Sequence, residues 1–306
     1  MLSKTDIINE LGKGICIFPL NPENIKENSI NLCASKFAWV TQNASIFICE
    51  KEKNKDKYFS LQKDNKHNKE IKLKKGESAV VVDKFGNSYI VLLPLATTLI
   101  ETQEVLSVNS YVGGTYHSKV GMVSKGIGHI GTMVGPNFSG ESLISLHNPT
   151  RELIIIKVGD SFVSVVFHYL DTPYHQLNPT VGGHIDKFSQ LGLKVTDEQL
   201  TELSADWKKK IEDVRYKMCQ SEEFKKLQIE CKKQKVERLK KFFNKRNIII
   251  CSVSIVVLVG LYFVAYYLDK GTNNTVWVDR YFNVGFSGVL VTILSVIAKV
   301  LKNNIE

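Results

Sequence analysis

Two apolar runs near the C-terminus constrain this chain more than any other feature. Residues 248–268 (IIICSVSIVVLVGLYFVAYYL) hold 21 residues without a charge. A helix of about 20 apolar residues is long enough to span a bilayer. Residues 281–301 form a second run, interrupted only by Lys299. The alternative is a buried helical hairpin of a soluble protein, but soluble helices of this length normally keep a polar face. The link 269–280 (DKGTNNTVWVDR) is short and polar, and Tyr266, Tyr267, Trp277 and Tyr281 cluster around it. Aromatic side chains gather in this way at membrane–water interfaces. The pattern predicts a two-helix transmembrane hairpin over 247–302, with spans 248–268 and 281–301. Gly288, Thr292, Ser295 and Lys299 share one helical face, suited to close helix packing or to lining a polar path.

The charge distribution gives the hairpin an orientation. The chain carries 40 Lys+Arg against 31 Asp+Glu, a net of +9. Residues 232–246 (KKQKVERLKKFFNKR) alone hold eight Lys/Arg and one Glu, and Lys302 follows the second run. Basic flanks stay on the cytoplasmic side, so both termini are expected there, in a multi-pass protein of the inner or cell membrane. The basic excess then points to anionic lipid as a partner rather than to nucleic acid. The N-terminus is charged from Lys4 and has no apolar signal region. The six cysteines (16, 33, 49, 219, 231 and 251) include no C-x-x-C pair, which argues against a zinc ribbon and against a disulfide framework.

Upstream of the hairpin, residues 196–246 contain no Pro or Gly. Thr196 and Gln199 have capping-box spacing. Leu200, Leu203, Trp207, Ile211, Val214 and Met218 recur at three-four spacing, and the phase resets after Ser221 through Phe224, Leu227, Cys231 and Leu239. The run predicts a long basic helix, either a self-associating stalk or a helix packed on its own globular domain.

Residues 1–180 read differently. Short apolar runs such as 79–82, 89–93, 143–146, 153–158 and 162–167 alternate with turn signals, as in a β-sandwich or barrel. Ser3 to Leu11 predicts one short helix capped by Ser3 and Asp6. Residues 50–75 are a mixed charge run, predicted as an inserted hairpin or loop in which 58–61 (YFSL) could form a strand.

The order of motifs here resembles the dCTP deaminases of the trimeric dUTPase superfamily, over about residues 1–172. Asn24-Ile25 and Ser29-Ile30-Asn31-Leu32 fit that family's N-I-x-x-x-S-h-D-L stretch, with Asn31 in place of Asp. IKLKKGESAVVV (71–82) resembles its L-x-P-G-E strand. GGTYHSKVG (113–121) falls on R-S-S-x-A-R-x-G, GTMVGPNFSGESLISLHN (131–148) on A-x-x-I-D-P-G-F-x-G-x-h-x-L-E-x-x-N, and IKVGDSFVSVVFHYL (156–170) on L-x-x-G-x-x-I-x-Q-h-x-F. The resemblance implies a mainly β fold: a dUTPase-like β-barrel or jelly-roll domain, followed by the helical stalk and the membrane hairpin. It also implies a homotrimer and a nucleotide ligand.

The departures fall on the chemistry. The family's Ser, Arg and proton-shuttling Glu align with Thr115, Lys119 and Ser145, and the dUTPase branch's Asp aligns with Gly135. A hydroxyl cannot shuttle protons at neutral pH as a carboxylate does, so the resemblance implies an intact scaffold without a catalytic residue. GGTYHSK offers backbone N–H groups, hydroxyls, an imidazole and an ammonium suited to phosphate, and Tyr116 and Phe138 could stack on a base. The expected ligand site therefore comprises Gly114, Thr115, Tyr116, His117, Ser118, Lys119, Gly131, Val134, Gly135, Phe138 and Ser145. A degenerate turn at a trimer interface is the alternative. The glycines at 126, 128, 131 and 135 predict a tightly turned or mobile segment. His117, His129 and His147 suggest a metal set, but nothing in the sequence fixes their mutual geometry, so no metal and no cofactor is expected, beyond Mg accompanying a nucleotide.

Two functions from different classes follow. One is a membrane effector whose cytoplasmic domain binds a cyclic nucleotide or dNTP and controls a two-span membrane-disrupting module, as in bacterial anti-phage defence. The other is a membrane-tethered dCTP or dUTP deaminase or pyrophosphatase, with Glu141, Glu101 or Asp160 as its acid. A purely structural membrane scaffold is a third.

Overall fold

The computed structural model describes residues 1–49, 59–61, 68–83, 85–129, 131–174, 185–242, 245–272 and 276–280. They form two compact units, Met1–Lys225 and Lys226–Glu306. The first unit opens with the helix α1 (Lys4–Glu10), started as expected by the reciprocal cap between Ser3 and Asp6. Its early strands are β1 (Ile15–Phe18), β2 (Ile30–Val40), β3 (Ala44–Cys49), β4 (Phe59–Ser60), β5 (Asn68–Leu73), β6 (Val80–Val82), β7 (Ser88–Leu92) and β8 (Ala96–Thr102). The chain continues through β9 (Val105–Val108), β10 (Val112–Ser118), the helical turn α2 (Val120–Val123), β11 (Gly128–His129), β12 (Met133–Val134) and β13 (Ser139–Gly140). The last strands are β14 (Leu143–Asn148), β15 (Ile154–Lys157) and β16 (Ser161–Tyr169).

A seven-stranded sheet in the order β11-β14-β8-β2-β16-β10-β12 carries the body, with three-stranded sheets β1-β9-β13, β15-β7-β6 and β4-β3-β5 around it. Its neighbours pair antiparallel, so successive side chains alternate between two faces. One face holds Ile30, Leu32, Ala38, Ile100, Ile144, Leu146, Val163, Val165 and Phe167, each almost wholly buried. The described part of 50–75 is strand, not loop: Phe59 and Ser60 pair with Ile48 and Phe47, and β5 covers the other edge of β3. The remainder of that insertion lies outside the described residues.

The long helix expected over 196–246 is instead a series of shorter ones. These are α4 (Asp197–Leu203), a 3₁₀ turn at Asp206–Lys208, α5 (Ile211–Gln220) and α6 (Glu222–Phe242), preceded by α3 (Ile185–Leu191). The Thr196–Gln199 capping box does start α4. Breaks then arise without Pro or Gly. Trp207 stacks edge-on against Phe18 at 5.8 Å, and Lys208 is drawn into the body, which pulls the chain out of α geometry. Ser221 ends α5, and its hydroxyl accepts from the Phe224 N–H at the start of α6. Val214 and Met218 are fully buried, and the Ile17 N–H donates to the Met218 thioether at 3.4 Å. Residues 196–220 are thus packed on the β body, the second of the two readings open for this run.

In the second unit, α7 (Lys245–Thr272) is followed by α8 (Val276–Arg280). The Asp269 carboxylate accepts from the backbone N–H groups of Trp277 at 2.8 Å and Val278 at 2.7 Å. Among the described residues, no helix is long and apolar enough to cross a membrane. The first expected span lies within α7, whose side chains are described only over 256–271, residue 258 excepted, and the second lies outside the described residues.

Candidate functional site

The expected binding segment is a strand. Val112–Ser118 pairs along its whole length with β16, and Gly114 and Thr115 pair with Val134 and Met133 on the other side. The Tyr116 N–H donates to the Thr132 carbonyl at 3.1 Å. Backbone N–H groups of GGTYHS therefore serve the sheet and are not a loose cradle for phosphate, which corrects that expectation. Tyr116 and Phe138 are corrected as well. Both rings are buried in the body, and the Tyr116 hydroxyl bonds Ser142, so neither is presented for stacking on a base. Burial holds the Tyr116 phenol well above its usual range.

The polar side chains of this stretch are less buried than the two rings. Thr115 Oγ1 lies 2.9 Å from His117 Nε2, and His117 is exposed. Lys119 caps the turn α2, and its ammonium donates to the Ser161 hydroxyl at the start of β16. Burial first, and the Lys26 ammonium second, hold Lys119 below its usual range. This arrangement offers one cation, two hydroxyls and an imidazole along one stretch. Cys33 stands nearby but is inert. Its N–H donates to Glu104 Oε2 at 2.7 Å, and burial and Glu104 push the thiol up to about 12. Gly131, Gly135 and Val134 sit in the connection around β12. Asn137, where the family motif has Gly, adopts a φ of +62°, a backbone region that Asn tolerates better than most residues.

Ser145 lies elsewhere on the sheet. It pairs with Leu99, and Leu99 with Trp39, so the three form one row across β14, β8 and β2. Four strand steps separate β14 from β10, which is about 19 Å along the sheet. Thr115 and Lys119 therefore do not meet Ser145 by strand adjacency within one chain.

Two acids flank that row. Glu141 is buried, and its Oε1 is 2.6 Å from Lys208 Nζ. Glu101 pairs with Leu143, one diagonal step from Ser145. It is completely buried, and neither carboxyl oxygen has a hydrogen-bond partner among the described residues. Burial, reinforced by the Glu141 charge, pushes its carboxyl up to about 8. Asp160 is in the turn before β16 and is exposed. Glu101 and Glu141 were named in the sequence only as alternatives; Lys208, the partner of Glu141, was missed, and nothing in its charged neighbourhood marks it as buried. Among the described residues no group of three or more His, Cys, Asp or Glu side chains gathers as a metal site.

Residues 1–170 match the dCTP deaminase-like (DCD) family. No curated protein matches the chain. Among solved structures it is similar to the 2'-deoxycytidine 5'-triphosphate deaminase of Agrobacterium tumefaciens, at 14% identity and a TM-score of 0.36, over 54% of this chain and 45% of that one. It is also similar to the EIAV dUTPase, at 16% identity and a TM-score of 0.26, over 44% of this chain and 94% of that one. A dUTPase variant of phage phi11 of S. aureus shows 17% identity and a TM-score of 0.26, over 29% and 75%. The chain thus spans less than half the length of the deaminase.

Proposed function

The chain belongs, through residues 1–170, to the dCTP deaminase-like family, and from that premise we propose that it is a nucleotide-binding effector without turnover. The observation that carries this reading is the mismatch between what β10 keeps and what the row at Ser145 on β14 lacks. Lys119, Ser161, Thr115 and His117 remain as donors for phosphate oxygens. At the position of the family's proton-shuttling acid stands Ser145. The flanking Glu141 is tied to Lys208, and Glu101 is sealed from solvent. A cyclic nucleotide or a dNTP would bind without being hydrolysed.

The assembly would be a homotrimer anchored in a membrane by 247–302, with its N-terminal domain in the cytoplasm and the anionic leaflet facing the basic run 232–246. Ligand occupancy would bias the spans, as expected of a membrane-disrupting defence effector. Apolar side chains that are exposed in the single chain support self-association: Val120, Val123 and Met133, the last on a two-residue edge strand. A second reading, a membrane-tethered deaminase or pyrophosphatase, draws on one observation. Glu101 is a carboxyl with a raised pKa one diagonal step from Ser145, and such groups recur at catalytic sites.

Thermal shift of the full-length protein, in detergent, against dNTPs, NTPs and cyclic nucleotides, with product analysis, separates the two. Ligand at 100 times its Kd adds about 2.7 kcal/mol of stability. A shift without product, lost in Lys119→Ala, is the expected result. Product formed from dCTP or dUTP would sink the proposal and leave the enzyme.

A further inference from the structure

The outer face of the sheet beside Ser145 is covered by the chain's own segment 185–208. Directly opposed residues of paired strands share a face. Trp39, Leu99 and Ser145 form one row, and Leu143 and Glu101 the next. Phe188 of α3 and Leu203 of α4 pack onto Phe37, Trp39 and Leu99, with Leu193, Val195 and Leu143 against the same cluster. The Phe188 and Trp39 rings lie 4.9 Å apart. The segment then turns inward at Lys208. Its ammonium reaches Glu141 Oε1 and the Glu202 carbonyl, each at 2.6 Å, and its own carbonyl accepts from the Ser139 hydroxyl at 2.7 Å. Beside this pair lies Glu101, fully buried and without a hydrogen-bond partner among the described residues.

This attachment differs from the rest of the core. Desolvation offsets much of what a buried ion pair contributes. A buried carboxyl without partners is a direct cost to the closed form. The rim contacts are exposed pairs, Lys194–Glu77 at 2.9 Å and Lys36–Glu202 at 2.8 Å, which contribute little. Two main-chain contacts complete it: the Lys194 N–H donates to the Gly76 carbonyl, and Trp39 Nε1 donates to the Lys194 carbonyl. A segment held this way opens at lower free energy than strands paired on both edges.

We propose that Ile185–Lys208 is a releasable clasp, closed over the sheet face that carries Ser145 and Glu101, with Lys208 on Glu141 as its latch. Opening hydrates Glu101, frees Glu141 and uncovers two carboxyls beside Ser145. The clasp does not depend on the nucleotide reading: it opens or stays shut whether or not a ligand binds.

Native-state hydrogen exchange on the full-length protein, followed by peptide in rising denaturant, tests it. Peptides from 185–208 should exchange through an opening at least about tenfold more populated than that of β2, β8 and β16. Lys208→Ala leaves Glu141 buried and unpaired, and should raise exchange in 185–208 about tenfold further, with β16 unchanged. If 185–208 exchanges only together with β2, β8 and β16 in the wild-type protein, the segment is a fixed part of the core and the proposal fails. If Lys208→Ala folds and leaves the exchange of 185–208 unaltered, Lys208 is no latch. The wild-type measurement decides on the clasp even where the variant does not fold.

Discussion

Glu101 shows how a single residue can set the pH response of the whole body. Its carboxyl is surrounded by Glu141, Lys208 and the phenol of Tyr116, and it is held neutral by burial first and the Glu141 charge second. The folded state therefore binds this proton more tightly than the unfolded state. Its contribution to stability is complete below the ordinary value of 4.5, falls as pH rises, and levels off above about 8. The slope within that window is about 1.4 kcal/mol per pH unit for one proton. Glu101→Gln removes the titrating group at nearly the same volume. Urea unfolding of the variant between pH 5 and 9 should lose this slope, and the variant should gain on the wild type as pH rises. Equal slopes in both proteins would show that Glu101 ionises freely. Its burial was not legible in the sequence. Glu101 stands in TLIETQEV, and only the pairing of β8 with β14, more than forty residues on, places it under the clasp.

At the scale of elements, local signals carried over and distant ones did not. The caps Ser3–Asp6 and Thr196–Gln199 were legible because each closes within four residues. Much of the β body was legible too, because its turn motifs follow one another in the order the fold requires. The helical run 196–220 was not, because its breaks come from partners far along the chain: Phe18 for Trp207, Glu141 for Lys208 and Ile17 for Met218. This makes a sharp difference between two truncations. A chain ending at 225 keeps Leu203, Val214 and Met218 in place, whereas one ending at 195 strips all three, uncovers Ile17 and removes Leu203 from the Phe37–Trp39–Leu99 cluster. Each large apolar side chain contributes about 1.5–3 kcal/mol when buried, and one kcal/mol moves Tm by about 2–4 °C at this size. The shorter form should melt at least about 10 °C lower in a scanning experiment. Equal melting of the two would mean that these helices lie on the body without supporting it.

For the whole molecule, the distribution of apolar surface separates the two units. In the first, large apolar side chains are mostly inside. In α7, by contrast, Val256, Val257, Val259, Leu261, Tyr262, Phe263, Val264, Tyr266, Tyr267 and Leu268 are all exposed. At 100° per residue these positions point in every direction around the helix, so no single face packed on a partner helix could cover them. A surface of this kind needs either a lipid environment or enclosure on all sides by other protein segments. Upstream of it, 232–246 brings eight basic residues against one acid, each worth about 1 kcal/mol near an anionic leaflet. A membrane anchor makes a distinct forecast from enclosure in a protein assembly. The full chain should float with phosphatidylserine-containing vesicles and stay with them through alkaline carbonate, which strips proteins held by charge alone. A chain ending at 225 should remain at the bottom of the gradient. Replacing the eight Lys/Arg by Gln should abolish the preference for anionic over neutral vesicles but leave carbonate resistance intact, because the first is electrostatic and the second comes from apolar burial. Full-length protein that stays unfloated and elutes as a defined oligomer without detergent would overturn the anchor. It would make α7 the centre of a helical assembly instead.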